Sequence, residues 1–254
     1  MRPTPAGETS DGVSLLSSIH VSAIVGGHTQ CPWLAAVVQL GHCSGTLVTR
    51  DVVLTSAHCL DGPIDHVTVD SHPMGVRECR RHPGYQPAER KHDIGYCRLE
   101  AAVAAAPIAL DDRPVPVPGA PVSIAGFGQT DAFTHDDGLA RMVETSVART
   151  TAETFDVGTG MATACLGDSG GPVVVQRPGG VRVVAVIHGG AEAICASSTQ
   201  GVSVWEHRAW LQEEINPHRS RRLEIGATAA LAAATLFLAW RWMVRFPYRP
   251  ESHR

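Results

Sequence analysis

The segment CLGDSGGP, residues 165–172, is the most informative stretch of the chain. A serine flanked by glycines is a nucleophile placed where the backbone can bend tightly and a substrate can approach. The tripeptide Ser-Gly-Gly alone would be better interpreted as a glycine-rich turn with a bystander serine. The full run Gly-Asp-Ser-Gly-Gly-Pro after a cysteine is far more specific. It makes Ser169 a candidate nucleophile.

A serine hydroxyl needs a base, and the base needs a carboxylate to orient it. The segment LTSAHC, residues 54–59, supplies His58 after an apolar strand, and HDIGYCRL, residues 92–99, supplies Asp93 before another. Taken singly, the histidine could be a core residue and the aspartate a turn or cap residue. Together, the chain order His, Asp, Ser matches one of the known serine-hydrolase arrangements.

Composition narrows the class of protein around these residues. The 254 residues are 44% apolar and 18% charged, which is typical of a globular chain and allows a sizeable core. A net charge of -4 predicts no nucleic-acid surface. The seven cysteines include no C-x-x-C pair and favour an oxidising compartment. No metal-ligand cluster emerges from the sequence, and this chemistry needs no cofactor.

Short apolar runs separated by turns indicate many strands between residues 24 and 216. A proline-rich connector, DDRPVPVPGAP at residues 111–121, falls near the middle and looks like a linker between two halves. A helix candidate, VWEHRAWLQEEI at residues 204–215, closes this region with one apolar stripe.

These motifs together resemble the chymotrypsin/trypsin family of serine endopeptidases. The resemblance runs from about Ile24 to Asn216 and rests on several segments in the right order: IVGG (24–27), CSGTLVTRDVVLTSAHC (43–59), HPGY (82–85), HDIGYCRL (92–99), IAGFGQT (124–130), CLGDSGGP (165–172) and GVSVW (201–205). It implies an all-β fold of two six-stranded antiparallel β-barrels, at about 24–112 and 121–203. A closing helix at about 203–215 follows, and the site lies between the barrels.

The resemblance also implies a role for each candidate residue. Ser169 attacks the scissile carbonyl, His58 transfers the proton, and Asp93 fixes the imidazole tautomer. The backbone N–H groups of Gly167 and Ser169 form the oxyanion hole. Leu166 is expected to line the site without taking part in the chemistry.

Three disulfides are expected. The resemblance implies Cys43–Cys59 beside the histidine loop and Cys165–Cys195 beside the specificity pocket. Cys79 and Cys97 flank the Asp93 segment and could link neighbouring strands, which is an inference from their positions. This leaves Cys31 without a partner.

The resemblance places Thr163, six residues before the nucleophile, at the floor of the specificity pocket, with Gly189 and Gly201 at its walls. Because the floor carries no carboxylate, we expect an apolar side chain before the cut and not lysine or arginine. Ile187 and His188 stand where the family has serine and tryptophan, so Asp93 would lose a hydroxyl neighbour and the pocket would gain an imidazole. A minority hypothesis is that His188 favours acidic side chains.

Residues 1–23 are expected to be a propeptide or a weak signal-like segment. In the family, cleavage before the equivalent of Ile24 frees an ammonium group that pairs with the aspartate before the nucleophile, here Asp168. The preceding residue is Ala23, so activation by a trypsin-like enzyme is not indicated. One cleavage after Val21-Ser22-Ala23 could achieve both export and activation.

The C-terminal region changes character. A basic linker at residues 217–224 precedes an apolar segment at 225–244 and a short tail at 245–254. Residues 225–240 carry no charge, and twenty residues reach about 30 Å as a helix. We expect a single transmembrane helix that anchors the protease domain on the extracytoplasmic side, although the flanking arginines leave the orientation open. An alanine-rich docking helix is the alternative.

The sequence therefore predicts a membrane-anchored serine endopeptidase that acts on proteins or peptides, with no nucleic-acid partner and an oligomeric state left open. Two alternatives remain. One is a catalytically inactive, protease-like binding or regulatory protein on a membrane anchor. The other is a membrane module whose helix carries the function.

Overall fold

A computed structural model describes residue 24 and residues 27–129, 138–151, 153–158, 162–190, 195 and 198–215. Within these residues the chain forms twelve β-strands, two 3-10 helices (Pro32–Ala36 and Ala57–Leu60) and one α-helix, α1 (Arg208–Ile215). The helix begins later than the sequence predicts, because residues 204–207 form turns.

Six strands form the first barrel. They are β1 (Val37–Leu40), β2 (Cys43–Leu47), β3 (Val52–Thr55), β4 (His66–Val69), β5 (His72–Arg81) and β6 (Gly95–Leu99). Their spatial order is β1-β2-β3-β6-β5-β4, and β1 closes the barrel by pairing Gln39 with Thr68 of β4. All neighbouring strands are antiparallel.

The second barrel repeats this topology. Its strands are β7 (Pro121–Gly126), β8 (Arg141–Thr150), β9 (Thr154–Val157), β10 (Pro172–Arg177), β11 (Gly180–Gly190) and β12 (Thr199–Ser203). Their order is β10-β11-β12-β9-β8-β7, closed by antiparallel pairing of Val173 in β10 with Ile124 in β7. The predicted pair of six-stranded antiparallel barrels followed by a helix is therefore confirmed.

Branched apolar residues fill the two barrels. Val38, Leu54 and Leu99 are at most 1% exposed in the first, as are Ile124 and Phe155 in the second. Fully burying one such side chain contributes about 1.5–3 kcal/mol, so the strand interiors supply the main stabilising term.

The proline-rich connector packs on the second barrel. Leu110 forms a parallel bridge with Val183 of β11. The Nε and Nη2 atoms of Arg177 donate to Oδ2 of Asp111 at 3.0 and 2.6 Å. The start of the connector is therefore held against the second barrel, in addition to joining the two halves.

Three disulfides join the pairs that the sequence predicts: Cys43–Cys59, Cys79–Cys97 and Cys165–Cys195. Cys79 and Cys97 face each other across β5 and β6. All seven cysteines fall in the described ranges, and among them Cys31 is unpaired.

The predicted propeptide (1–23), basic linker (217–224), transmembrane helix (225–244) and tail (245–254) lie outside the described residues. Among the residues that are described, no helix has the length and apolar character needed to span a bilayer.

Candidate active site

His58 and Asp93 meet at one end of the first barrel. His58 lies in the 3-10 helix that follows β3, and Asp93 lies two residues before β6. Because Thr55 and Gly95 pair across these neighbouring strands, the two side chains leave the sheet at the same point. Nδ1 of His58 lies 2.7 Å from Oδ2 of Asp93, and the His58 backbone N–H donates to Oδ1 at 2.8 Å.

The Asp93 carboxylate is fully buried but has several donors. Burial by itself opposes ionisation. Hydrogen bonds from the His188 and His58 rings, the positive charge that His58 can carry and the His58 backbone N–H together outweigh it, so the pKa of Asp93 is lowered. The carboxylate is therefore held ionised, and it can orient the His58 ring and stabilise its protonated form.

Ser169 lies in the loop before β10, so it comes from the second barrel. Its carbonyl oxygen accepts a hydrogen bond of 2.7 Å from the N–H of Ser44 in the first barrel. Sγ of Cys59 lies 3.6 Å from that oxygen and 3.6 Å from Nε2 of His58. The backbone of Ser169 and Nε2 of His58 therefore both lie against the sulfur of Cys59.

The peptide groups that precede Gly167 and Ser169 have the same orientation, with their carbonyls hydrogen-bonded inside the protein. The carbonyl of Leu166 accepts from the N–H of Gln129 at 2.7 Å, and that of Asp168 accepts from the N–H of Gly171 at 2.9 Å. In a trans peptide the N–H points away from the carbonyl. The N–H groups of Gly167 and Ser169 are therefore turned away from these internal partners.

Gly167 must be glycine for this turn. Its φ is +97°, and a Cβ atom there would lie 2.8 Å from the Cα of Gly128. A side chain would displace the loop that carries the two N–H groups.

The two residues expected to act in activation are both buried. Oδ1 of Asp168 accepts from the Gly128 N–H and Oδ2 from the Cys165 N–H, each at 2.8 Å. Ile24 is fully buried in the core of the second barrel, beside Val122 and Ile124.

The resemblance places the His188 side chain in the specificity pocket, whereas the structure places it between Asp93 and Gln200. Its Nδ1 lies 3.2 Å from Oδ2 of Asp93, and its Nε2 lies 3.1 Å from Oε1 of Gln200. Asp93 therefore has a side-chain donor in His188, although Ile187 replaces the serine whose hydroxyl the family would supply. Both ring nitrogens are engaged, so the hypothesis that His188 favours acidic substrates loses its basis.

The pocket residues also differ in part from expectation. Thr163 is 1% exposed, and its Oγ1 has no hydrogen-bond partner within the part of the chain that the structure describes. A Cβ on Gly201 would meet Ala185, Val173 and Phe155, so Gly201 faces the barrel core and not the pocket.

The residue beside the pocket floor is Thr199, whose Oγ1 accepts from the Ala164 N–H at 2.7 Å. At the other expected wall, Gly189 has the Arg90 guanidinium against it, 2.8 Å from where a Cβ would lie.

The sequence did not predict the roles of several residues near the site. Ser44 donates to the carbonyl of Gly167 at 2.8 Å and accepts from the Phe127 N–H at 2.9 Å. A group of three histidines, His82, His92 and His207, lies next to Asp93. The motifs HPGY and HDIGYCRL contain two of these histidines, but no local spacing links them to the third.

Two antiparallel barrels with a serine, a histidine and a buried carboxylate at their junction define the class of chymotrypsin-like serine proteases. A family model described as Trypsin matches residues 24–209. The chain belongs to the trypsin family.

Three curated relatives illustrate the similarity. Serine protease 56 of Mus musculus is 31% identical over 70% of this chain, and the phenoloxidase-activating enzyme of Bombyx mori is 25% identical over 73%. Granzyme B of Homo sapiens is 29% identical over 64% of this chain. The matches cover 35%, 58% and 81% of those proteins, so the chain spans about a third of the first and just over half of the second.

Proposed function

We propose that the chain is a serine endopeptidase in which Ser169, His58 and Asp93 act as a catalytic triad. Oγ of Ser169 attacks the carbonyl carbon of the scissile bond while Nε2 of His58 takes its proton. His58 then gives that proton to the leaving amine, and the acyl group stays on Ser169. A water molecule, deprotonated by His58, attacks the acyl group, and the proton returns to Ser169.

One observation supports this proposal most directly. The carbonyls of Leu166 and Asp168 are both held by internal donors, so the N–H groups of Gly167 and Ser169 are free to point at a developing oxyanion. Removing one such donor typically costs about 2.7–4 kcal/mol of transition-state stabilisation. A scaffold that only binds a partner has no need of this arrangement.

The substrate side chain before the cut is proposed to be apolar. Thr163 and Thr199 offer hydroxyls near the pocket floor and no carboxylate. Among the described residues at this floor there is no counter-charge for a lysine or arginine, whose desolvation would then be strongly unfavourable.

Activation and anchoring complete the proposal. Cleavage before Ile24 would free an ammonium group to pair with Asp168, which already orients the segment between Cys165 and Ser169. The segment 225–244 would hold the domain on the extracytoplasmic face of a membrane. N-terminal sequencing of active protein tests the first point, and an active fragment that ends near residue 216 tests whether the helix only anchors.

A fluorophosphonate probe tests the central claim. The wild-type protein should be labelled at one residue, Ser169→Ala should not be labelled, and the exposed-site control Ser71→Ala should label like the wild type. A folded wild-type protein with Ile24 at its N-terminus that never labels would favour the alternative, an inactive protease-like binding protein. A peptide panel reports preference, and rapid cleavage after lysine or arginine would contradict the proposed pocket.

A further inference from the structure

Three imidazole rings cluster around the chain segment that carries Asp93. Nδ1 of His92 lies 3.0 Å from Nε2 of His207. The ring centroids of His82 lie 4.8 Å from His92 and 5.0 Å from His207. One ring nitrogen from each residue lies within 4.8 Å of the other two. The proposed catalytic mechanism uses none of these rings.

The chain brings them together through tertiary structure. His82 follows β5 and its backbone N–H donates to the carbonyl of Ile94 at 2.9 Å. His92 comes two residues before Ile94, and His207 precedes α1 and is 4% exposed. The cluster therefore surrounds the short segment 92–94 that carries Asp93.

The hydrogen bonds fix where the protons of His207 and His92 lie. Nδ1 of His207 lies 2.8 Å from the Ser203 carbonyl, which can only accept, so this nitrogen carries the proton. Nε2 of His207 then accepts the 3.0 Å hydrogen bond from Nδ1–H of His92, so a metal ion could replace this shared proton once it moves to Nε2 of His92. A ligating histidine commonly donates its other N–H to a backbone carbonyl in this way, which fixes the ring and its tautomer.

His82 also has an oriented ring. Its Nδ1 accepts from the Gly84 N–H at 3.1 Å. Its ring also makes a T-shaped contact with Trp210, with 4.9 Å between the ring centroids. With the proton on Nε2, Nδ1 of His82 is the nitrogen that can ligate a metal, in exchange for its hydrogen bond from Gly84.

Burial favours the neutral forms of His82 and His207, the form that ligates a metal. Burial, together with the neighbouring His207 and His92, lowers the pKa of His82 to about 4. Burial also lowers the pKa of His207, while the carboxylates of Glu153 and Glu206 act in the opposite direction on it.

We propose that His82, His92 and His207 form a binding site for a divalent transition-metal ion of the zinc type, with water as the fourth ligand. Imidazole nitrogens are preferred zinc ligands, and three of them with one open position are a common set. Tetrahedral bonds of about 2.0–2.1 Å place ligand nitrogens about 3.3 Å apart. The His92–His207 pair already stands at 3.0 Å, so His82 must move inward and the proton on Nδ1 of His92 must give way to the metal.

A second close group, Cys43, His58 and Cys59, offers no such site because its two sulfurs form a disulfide. The three-histidine cluster is therefore the stronger metal candidate within the described residues.

Occupancy of the site is expected to lower proteolysis, a consequence that rests on the proposed function. His92 is bonded directly to Asp93, and its backbone already has a left-handed φ of +50°. Pulling the His92 ring onto a metal would displace the Asp93 carboxylate from His58, whose Nδ1 it meets at 2.7 Å. The orientation of the imidazole would suffer.

Direct binding is the primary test. Untagged Ser169→Ala protein, stripped with EDTA, is titrated with ZnCl2 by calorimetry and with CoCl2 by visible absorption. We expect one tight site per chain, a higher melting temperature with Zn²⁺, and the intense visible bands of tetrahedral Co²⁺. His82→Asn and His92→Asn should each weaken binding at least tenfold, while His66→Asn, an exposed histidine on β4, should not.

Melting temperatures in EDTA show whether each variant is folded before it is titrated. Tight binding that survives in folded His82→Asn and His92→Asn, or that disappears in His58→Ala, overturns the proposed site, as does the absence of binding to the wild type. These results do not depend on activity, so they separate this proposal from the proposed function.

The activity arm uses the protein with Ser169 intact. Zn²⁺ should lower kcat several-fold in the wild type and in His66→Asn, and chelation should restore it. In folded, active His92→Asn the same Zn²⁺ concentration should leave kcat unchanged. Stoichiometric binding without any loss of kcat would overturn the coupling to Asp93.

Discussion

Nδ1 of His188 lies 3.2 Å from Oδ2 of Asp93, the same oxygen that Nδ1 of His58 approaches to 2.7 Å. Asp93 therefore contacts two imidazoles and one backbone N–H while fully buried. Hydrogen bonds to a buried carboxylate are individually strong because the alternative is an unpaired charge. His188 is consequently a positioning residue for the proposed triad.

Replacing His188 by alanine is expected to lower kcat on the order of tenfold, which corresponds to about 1.4 kcal/mol of transition-state stabilisation. Asp93 would keep its two contacts with His58 but lose the one with His188, so the carboxylate would be held less firmly. Since His188 makes no proposed contact with substrate, KM should change little. The measurement is steady-state kinetics on an apolar peptide substrate. His188→Ser should recover part of the loss, because its hydroxyl can donate to the carboxylate if the backbone allows the reach.

An exposed histidine gives the control for this prediction. His72→Ala, on β5, should leave kcat unchanged. If His188→Ala has normal kcat while its unfolding free energy falls, His188 contributes to folding only.

The barrels and the three disulfide pairs follow from consecutive residues in a few motifs, and the structure agrees. The structure also brings His58 to Asp93, while the joint action of these two residues with Ser169 stays a prediction. The placement of His188 could not be predicted. The register between β11 and β12 shifts between Ile187 and Gly189, and a shift of one residue exchanges the faces on which side chains lie. The histidine cluster could not be predicted for another reason. His92 and His207 are 115 residues apart in sequence, and only the fold brings them together.

Ser44→Ala is expected to reduce both stability and catalysis. The Ser44 hydroxyl donates to the Gly167 carbonyl at 2.8 Å and accepts from the Phe127 N–H at 2.9 Å, so its loss leaves two backbone groups unpaired. The free energy of unfolding should fall by about 1–3 kcal/mol. The loosened Gly167 peptide should lower kcat several-fold.

Tyr96→Phe is the matched control, since it removes a buried hydroxyl that donates to Glu214 far from the oxyanion loop. Urea unfolding and initial rates give both quantities for each variant. Equal losses of kcat in the two variants would show that general destabilisation, and not the oxyanion loop, explains the effect.

Arg177→Met is expected to destabilise the fold without changing kcat. Arg177 donates twice to Oδ2 of Asp111, whose side chain is 3% exposed, and so ties the connector to β10. Removing the cation leaves a buried carboxylate, and since the arginine is 24% exposed the cost should be about 2 kcal/mol, below the 3–5 kcal/mol of fully buried pairs. A double-mutant cycle with Asp111→Asn measures the coupling, and additive effects would refute it.

Tyr96 is expected to make the fold sensitive to alkali. Its buried hydroxyl donates to Oε2 of Glu214 at 2.6 Å, which links β6 to α1. Burial first, and then the hydrogen bond and negative charge of Glu214, raise the pKa of Tyr96 above its ordinary value of 10.0.

The folded protein therefore keeps this proton at a pH where the unfolded chain has lost it. The stabilising contribution is complete below pH 10 and declines as the pH rises from about 10 towards the folded pKa. The slope for one proton cannot exceed about 1.4 kcal/mol per pH unit.

Urea unfolding at pH 8, 9, 10 and 11 measures this directly. Tyr96→Phe should be less stable than the wild type at pH 8, where the hydrogen bond is lost, and the gap should narrow above pH 10 because the phenylalanine variant has no proton to lose. The exposed-site variant His72→Ala should run parallel to the wild type throughout. A constant gap between wild type and Tyr96→Phe across the four pH values would show that Tyr96 does not control the alkaline limb.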